Sequence, residues 1–153
     1  MRLRAEVAGR FEEAGDASKL LYAPLDSPLQ FRRTRVYEME FEGDAGAAER
    51  FMRRVLVDDI SQDVTLDGDP VFGGEALFYL DYGMKPGALD LEKETVLGFW
   101  HELADPGFTV GRFTIRQRIY LFGESAGAVP VARFVRDIVN PAIHVWESSA
   151  PSP

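Results

Sequence analysis

The sequence predicts an α/β fold of the α+β type, in which two tandem β-α-β-α-β units form antiparallel sheets with the helices packed on one face. The second half of the chain alternates strand-like and helix-like patterns, and the first half repeats the helical pattern at a fixed spacing. Between them, residues 67–74 (DGDPVFGG) are rich in turn formers. We therefore expect a first module at residues 1–68, a linker at 69–74, a second module at 75–147 and a disordered tail at 148–153.

The first strand and the first helix of the second module lie on either side of a turn. Residues 75–84 combine apolar and aromatic side chains suited to a strand. Residues 85–87 (KPG) then favour a turn, because proline fixes φ and glycine permits positive φ. Asp90 is of a type that caps helices, and residues 106–107 (PG) predict the end of the helix. The apolar helical face consists of Leu89, Val96, Trp100 and Leu103.

The remaining elements of the second module follow the same alternation. Apolar residues of one parity indicate a strand with one buried face, and Arg116, Arg118 and Tyr120 lie on its other face. A helix with an apolar stripe follows, residues 140–141 (NP) stop it, and residues 142–147 are predicted as a closing strand. The apolar strand positions are Phe113, Ile115, Ile119 and Leu121, and the helical stripe is Val131, Phe134, Val135, Ile138 and Val139.

A repeat relates the two halves at an offset of 118 − 35 = 83 residues. Residues 35–37 (RVY) resemble residues 118–120 (RIY), and ungapped extension reproduces the helical stripe. Seven of the 26 positions from residue 35 to residue 60 are identical, which favours a duplication over two unrelated units with the same generic pattern. The first 30 residues then supply a strand at 2–7 and a helix at 11–22. The stripe of the first half is Ala48, Phe51, Met52, Val55 and Leu56.

Composition and charge exclude several classes of protein. The net charge of −8 disfavours a nucleic-acid binder, since such proteins need a basic surface to neutralise phosphates. The absence of cysteine excludes disulfides, zinc–thiolate sites and cysteine nucleophiles, and it favours a cytoplasmic location. The first ten residues lack the apolar core of a signal peptide, and no apolar run approaches the ~20 residues of a membrane span. We therefore expect a cytoplasmic protein with neither nucleic acid nor membrane as a partner.

A family resemblance is found in residues 79–89, 110–123 and 131–145, and a related one in residues 35–66. The first three segments resemble the PurS family, which belongs to phosphoribosylformylglycinamidine synthase. Residues 79–89 (YLDYGMKPGAL) and 110–123 (VGRFTIRQRIYLFG) are similar to the first and second strands of that family. Residues 131–145 (VARFVRDIVNPAIHV) resemble its second helix, its Asn-Pro turn and its last strand. Residues 35–66 look more like the N-terminal region of large single-chain versions of the same synthase. In those enzymes the N-terminal domain mimics a PurS dimer within one chain.

The resemblance implies an assembly role without catalysis in purine biosynthesis. The synthase makes formylglycinamidine ribonucleotide from formylglycinamide ribonucleotide, ATP and glutamine. PurS-like proteins dimerise, bridge the large subunit and the glutaminase, and help to form the ammonia path. A tandem chain would be a covalent pseudo-dimer, either a subunit or an excised N-terminal domain. We expect no cofactor, no metal and no catalytic residue, with the large subunit and the glutaminase as partners and self-association as a third interaction.

Basic side chains along the second strand of the second module are candidates for contact with a partner. They could face acidic patches or phosphates, and ordinary surface charge is the alternative. Residues 35–37 repeat part of this strand, which favours a paired interface role. The interface candidates are Arg35, Tyr37, Lys85, Arg112, Arg116, Arg118, Tyr120, Asn140 and Pro141.

Two other functions remain open from the residues alone. A ferredoxin-like regulatory domain would bind a small ligand between its two modules. Residues 123–127 (GESAG) match the Gly-x-Ser-x-Gly motif of serine hydrolases, with Ser125 as the nucleophile and Asp137 and His144 following in the required order. A loop of small residues that caps the next helix is the better interpretation, since the chain is short for such a hydrolase.

The other ionisable residues indicate no site by their spacing. His101 and His144 are the only histidines, and neither has the partner four residues away that a helical zinc site needs. The aspartates near the module boundary lack the ligand pattern of a calcium loop, so that a solvated acidic surface is the expected interpretation. These aspartates are Asp58, Asp59, Asp63, Asp67 and Asp69.

Overall fold

The computed structural model describes residues 1–124 and 131–150. In these residues the chain forms a mixed α/β structure with one seven-stranded antiparallel sheet and three α-helices. The strand order is β4-β1-β3-β6-β5-β7, and β2 is a short strand that pairs with β3 outside this path. The elements are β1 (Arg2–Gly9), β2 (Gly15–Asp16), β3 (Gln30–Gly43), α1 (Ala45–Leu56), β4 (Gln62–Leu66), β5 (Phe78–Met84), α2 (Leu91–His101), β6 (Phe108–Phe122), α3 (Val131–Ile138) and β7 (His144–Ser148).

The elements of the second half agree with the predicted order strand, helix, strand, helix, strand. Asp90 caps α2, and its carboxylate accepts a hydrogen bond from the backbone N–H of Lys93 at 3.1 Å. Gly87 occupies the predicted turn with a φ of +86°. The apolar positions predicted for β6 are all at most 7% exposed. The predicted face of α2 is only partly correct, because Leu89 and Leu103 are exposed at its two ends.

The first half departs from prediction between β1 and β3. The expected helix at residues 11–22 is absent, and β2 and a four-residue 3₁₀ helix (Ala17–Leu20) occupy this region instead. Phe11 and Tyr22, the first and last residues of the expected helix, are 74% and 88% exposed. Ala17 and Leu29 are buried in a core cluster of the second half. Tertiary contacts therefore determine the path of this segment, and helical propensity does not.

The segment expected as a tail, residues 148–153, is described only as far as residue 150. Ser148 ends β7, and the backbone N–H of Ser149 donates to the carbonyl oxygen of Tyr79 at 3.0 Å. These residues therefore continue the contact between β7 and β5. The rest of the expected tail, residues 151–153, lies outside the described residues.

The long strands β3 and β6 join the two halves into one continuous sheet. They pair from Gln30 opposite Phe122 to Gly43 opposite Phe108, with one irregularity between Glu40 and Phe41. On one side of this pair β1 and then β4 follow, and on the other side β5 and then β7 follow. The same sequence of neighbours therefore occurs on both sides of the central pair.

All three helices pack on one face of the sheet, over two apolar clusters. The first cluster lies under α1 and α2 and contains Met39 and Phe113, which are 0% and 1% exposed. The second cluster lies under α3 and the segment around Ala17, and it contains Leu80 and Phe134. Because strand side chains alternate between faces, the other face of the sheet carries the polar positions. We call this other face the open face.

The segment between β4 and β5 packs on the open face. Residues 69–74, expected as a linker, have no regular secondary structure. Phe72 lies edge-on against Tyr120, with ring centroids 5.2 Å apart, and the Arg32 guanidinium stands 4.2 Å from the Phe72 ring centre. The backbone N–H of Val71 donates to Glu6 at 3.2 Å. The segment expected as a linker thus covers part of the sheet and is not a free connection.

Matched residues of the repeated tripeptides 35–37 and 118–120 have their side chains on opposite faces of the sheet. Tyr37 is buried on the helix side and donates a hydrogen bond to Glu92 of α2 at 3.2 Å. Tyr120 donates to Glu6 on the open face. Residues directly opposite each other in an antiparallel pair have side chains on the same face, and Thr34 is opposite Arg118. Arg35 is the next residue after Thr34, so its side chain lies on the face opposite to that of Arg118. The offset of 83 therefore matches residues whose side chains lie on different faces of the sheet. The sequence match is therefore not a structural equivalence in the strands.

The helical part of the repeat is preserved. Phe51, Met52 and Leu56 of α1 are buried, and residues 83 positions later face the second cluster. Those later residues are Phe134, Val135 and Val139. An offset of 83 thus relates buried positions of α1 to positions at α3 that pack in the second cluster. In the preceding strands β3 and β6, residues on the same face are related by an even offset.

Candidate functional site

The open face carries a buried ionic cluster at the junction of the two halves. The Arg118 guanidinium donates two hydrogen bonds to the Asp81 carboxylate, from Nε to Oδ1 at 2.7 Å and from Nη2 to Oδ2 at 2.9 Å. Its Nη1 donates to Oε1 of Glu6 at 2.9 Å. All three residues are at most 6% exposed. Strands β1, β5 and β6 each contribute one charge, so that the cluster links strands of both halves.

Neighbouring polar and aromatic groups complete this cluster. Oε2 of Glu6 accepts hydrogen bonds from the hydroxyls of Tyr120 and Thr34. The ring of Tyr79 stands 4.3 Å from the centre of the Arg118 guanidinium, a cation–π distance. No buried side-chain nitrogen or oxygen within residues 1–124 and 131–150 lacks a hydrogen-bond partner. A fully satisfied network of this kind stabilises one arrangement of the strands.

Two members of this cluster, Arg118 and Tyr120, have raised pKa values. Burial by itself lowers the pKa of Arg118, but the hydrogen bonds and the charge of Asp81 outweigh it and raise the pKa above its ordinary value. Burial, followed by the hydrogen bond to Glu6, raises the pKa of Tyr120. Both groups therefore keep their protons throughout the physiological range. Arg118 and Tyr120 are therefore suited to holding strands together through their hydrogen bonds.

A polar depression lies on the open face beside this cluster. Its volume is about 340 Å³, and both central strands contribute to it through Glu38 of β3 and Thr114 of β6. Arg2 spans its rim, where Nε lies 3.0 Å from Oε1 of Glu38 and Nη2 lies 3.4 Å from Oε1 of Glu40. Arg2 thus pairs with two carboxylates across the strands, whereas Arg4 and Arg112, which also line this depression, form no ion pair among the described residues.

A second depression lies where β5 leaves β6. It has a volume of about 350 Å³ and lies between the turn at residues 85–88 and the open edge of β6. Four basic side chains line it, and Asp90 is the acidic residue on its wall. We call this depression the basic cleft, and its four basic residues are Lys85, Lys93, Arg112 and Arg116.

The structure separates the predicted interface residues into buried and accessible groups. Tyr37, Arg118 and Tyr120 are 4%, 6% and 0% exposed, so that their side chains contact this chain and are unavailable to a partner in this conformation. Arg35 is exposed and forms an ion pair with Glu92 on the helix side. The accessible candidates on the open face or at turns are Lys85, Arg112, Arg116, Asn140 and Pro141.

The arrangement expected for a serine hydrolase is not supported by Asp137 and His144. Ser125 lies outside the described residues. Nδ1 of His144 accepts a hydrogen bond from the backbone N–H of Asn140 at 3.0 Å, so that this nitrogen cannot donate to a carboxylate. Asp137 accepts hydrogen bonds from Nε of Arg136 at 2.8 Å and from the backbone N–H of Tyr22 at 3.1 Å. The two residues therefore serve local structure.

The aspartates near the module boundary form local contacts. Asp63 accepts from Nη2 of Arg10 at 2.8 Å, and Asp67 accepts from the backbone N–H of Arg4 at 2.8 Å. Hydrogen bonds from the backbone of Ile60, as the largest cause, lower the pKa of Asp58. In the part of the chain that the structure describes, no group of three or more histidine and acidic side chains is placed to hold a metal ion.

Sequence reasoning did not find Glu6 and Asp81 as members of the cluster. Both carry charge on strands whose alternate positions are apolar, and each lies on the parity opposite to the buried apolar residues. That signal places them on the open face. It does not show that Arg118, which is 112 residues from Glu6, brings the three charges together.

No family model, no curated protein and no solved structure matches this chain. Among the described residues, no helix is long and apolar enough to cross a membrane.

Proposed function

We propose that the protein is a non-catalytic assembly component of phosphoribosylformylglycinamidine synthase, built from two PurS-like modules that form a covalent pseudo-dimer. The observation that carries this proposal is the strand order, which has the same sequence of neighbours on both sides of the central β3–β6 pair. Two modules associated edge to edge through β3 and β6 would produce such an order, and the first of them has β2 and a 3₁₀ helix where the second has an α-helix. The resemblance of residues 79–89, 110–123 and 131–145 to the PurS family supplies the identity of the complex.

The accessible interface candidates support a bridging role. Lys85, Arg112 and Arg116 lie together around the basic cleft, and residues 140–141 form a turn at the far edge of the sheet. Two separate surfaces of one chain could contact two different subunits. In this proposal the buried Arg118 cluster maintains the shape that presents those surfaces, and it does not contact either subunit.

The test is co-purification of the tagged protein from its source cells, with glutamine and ADP present throughout. We expect mass spectrometry to recover the synthase large subunit and its glutaminase in amounts comparable with the tagged chain. The control is the same tag on an unrelated acidic protein of similar size. Absence of both subunits, or equal recovery with the control, would contradict the proposal.

A ferredoxin-like regulatory domain that binds a small ligand between the two modules is the second candidate function. The depression beside Glu38 and Thr114 favours it, because this depression lies over the central strands where the two halves meet. The ion pairs of Arg2 with Glu38 and Glu40 already satisfy much of its rim, however, and the assembly role therefore remains our conclusion.

A further inference from the structure

The basic cleft exists because the sheet divides at the end of β5. Strand β5 pairs with β6 only from Leu121 to Gln117, so that residues 108–116 of β6 have β3 as their one strand neighbour among the described residues. At Gly83 the two strands are still in close approach, since a Cβ at that position would lie 2.6 Å from the carbonyl oxygen of Ile115. Beyond Gly83 the chain turns away through residues 85–88, and the cleft opens between that turn and β6.

The charges around this opening are unbalanced. No ion pair within residues 1–124 and 131–150 involves Lys85, Lys93 or Arg112. Arg112 is opposite Glu40 in the sheet, but Oε1 of Glu40 lies 3.4 Å from Arg2. Arg116 makes a single long contact of 3.4 Å with Glu147.

The acidic residue on the wall is already engaged. Oδ1 of Asp90 accepts the backbone N–H of Lys93 as the cap of α2. The lining of the cleft contains four cations and one carboxylate and so has an excess of positive charge, although the protein as a whole has a net charge of −8. Lys85, Lys93 and Arg112 have no carboxylate partner among the described residues, and lining cations of this kind are suited to an oxyanion.

We propose that the basic cleft binds the phosphate group of a small phosphorylated molecule. The cavity of about 350 Å³ is in the lower range of small-molecule sites, which fits a compact ligand. Arg112 offers a planar fork of donors to two phosphate oxygens, and Lys85 and Lys93 offer point charges. The cleft shares Lys85, Arg112 and Arg116 with the subunit contact proposed above, but phosphate binding needs only the residues of this chain and is measured without the other subunits.

The test is isothermal titration of the purified chain with inorganic pyrophosphate, and separately with citrate, at low and at physiological ionic strength. We expect saturable binding of one pyrophosphate. Arg112→Gln and Lys85→Gln should each weaken it by at least about tenfold, the loss expected for one charge-assisted hydrogen bond. Both side chains are exposed, so that circular dichroism should show an unchanged fold.

The matched control is Arg53→Gln, which removes the same charge from the exposed surface of α1. Its affinity for pyrophosphate should equal that of the unaltered chain. Absence of saturable binding, or equal weakening by Arg53→Gln, would overturn the proposal, as would binding of citrate without binding of pyrophosphate. Co-purification with the synthase subunits has no bearing on this result, so that the two proposals can fail separately.

Discussion

Arg118 places a guanidinium inside the protein between two carboxylates from different strands. Its contacts with Asp81 and Glu6 are short, at 2.7 Å and 2.9 Å, and the side chains of all three residues are at most 8% exposed. Removing charges from water costs free energy, and here the ion pairs and the complete hydrogen bonding offset that desolvation cost. Removal of the cation alone would leave two negative charges in the interior without a partner.

We therefore predict that Arg118→Met lowers the free energy of unfolding by about 3–5 kcal/mol, the usual result of breaking a buried ion pair. Urea denaturation followed by circular dichroism measures this change. Arg2→Met is the matched control, because Arg2 forms exposed ion pairs with Glu38 and Glu40, and it should cost at most about 1 kcal/mol. Similar small losses for both variants would show that the buried cluster contributes little.

At the residue scale, the sequence predicted which face a side chain occupies better than how deeply it is buried. Strand parity correctly placed Arg116, Arg118 and Tyr120 away from the apolar face. Parity could not indicate that Arg118 and Tyr120 would be buried there, because their partner Glu6 lies more than a hundred residues earlier. The prediction of these two as interface residues followed from assuming that the polar face is solvated.

The elements differ in how strongly local sequence determines them. Strands and helices with a full apolar period, such as α1 and β6, formed where the pattern predicted them. The segment at residues 11–22 has apolar residues at helical spacing but also contains Gly15, which lowers helical propensity. Its only fully buried residue is Ala17, which packs on the second cluster. A contact with a distant part of the chain therefore replaces the predicted helix.

Two glycines in different elements give opposite predictions for the same substitution. Gly43 ends β3 with a φ of +118°, and a Cβ there would lie 2.6 Å from the carbonyl oxygen of Gly107. Gly98 lies in α2, and a Cβ added at this position would meet no atom within 4 Å. We predict that Gly43→Ala lowers the free energy of unfolding by more than about 1 kcal/mol, and that Gly98→Ala raises it by about 0.5–1 kcal/mol.

Urea denaturation of both variants under the same conditions checks this pair. The substitution adds the same methyl group at each position, so that the backbone environment is the variable. Destabilisation by Gly98→Ala would mean that the helix needs flexibility or close packing there. An unchanged Gly43→Ala protein would mean that the junction of β3 and α1 relaxes without cost.

The molecule as a whole has one sheet across both halves, which the sequence did not determine. The order of elements within the second half could be read from periodicity, because each element has its own apolar pattern. Pairing between β3 and β6 depends on residues far apart in the chain, and the apolar pattern of a strand does not predict which strand it pairs with. For the same reason, the sequence match between residues 35–37 and 118–120 did not predict structurally equivalent positions. A shift of one residue along a strand moves every side chain to the other face of the sheet.

We predict that the two halves unfold together, because β3 and β6 pair along their whole length. Trp100 packs against the first cluster and Trp146 lies on β7 of the second half. In the Trp146→Phe variant, the remaining Trp100 reports the first cluster, which contains residues of β1, β3 and α1, and in the Trp100→Phe variant the remaining Trp146 reports β7 at the edge of the sheet. For each variant, the urea midpoint by fluorescence should coincide with the midpoint by far-UV circular dichroism. An earlier loss of native emission from Trp146 than from Trp100 would indicate that the part of the sheet at β7 unfolds separately from the first cluster.

The pairing of β3 with β6 occurs within one chain, and this has a consequence for dilution. Two separate modules joined through the same strands would dissociate by mass action as their concentration fell. Here the intervening chain, from residue 44 to residue 107, holds the two strands at a constant effective concentration. The central pair therefore forms to the same extent in a scarce protein as in an abundant one.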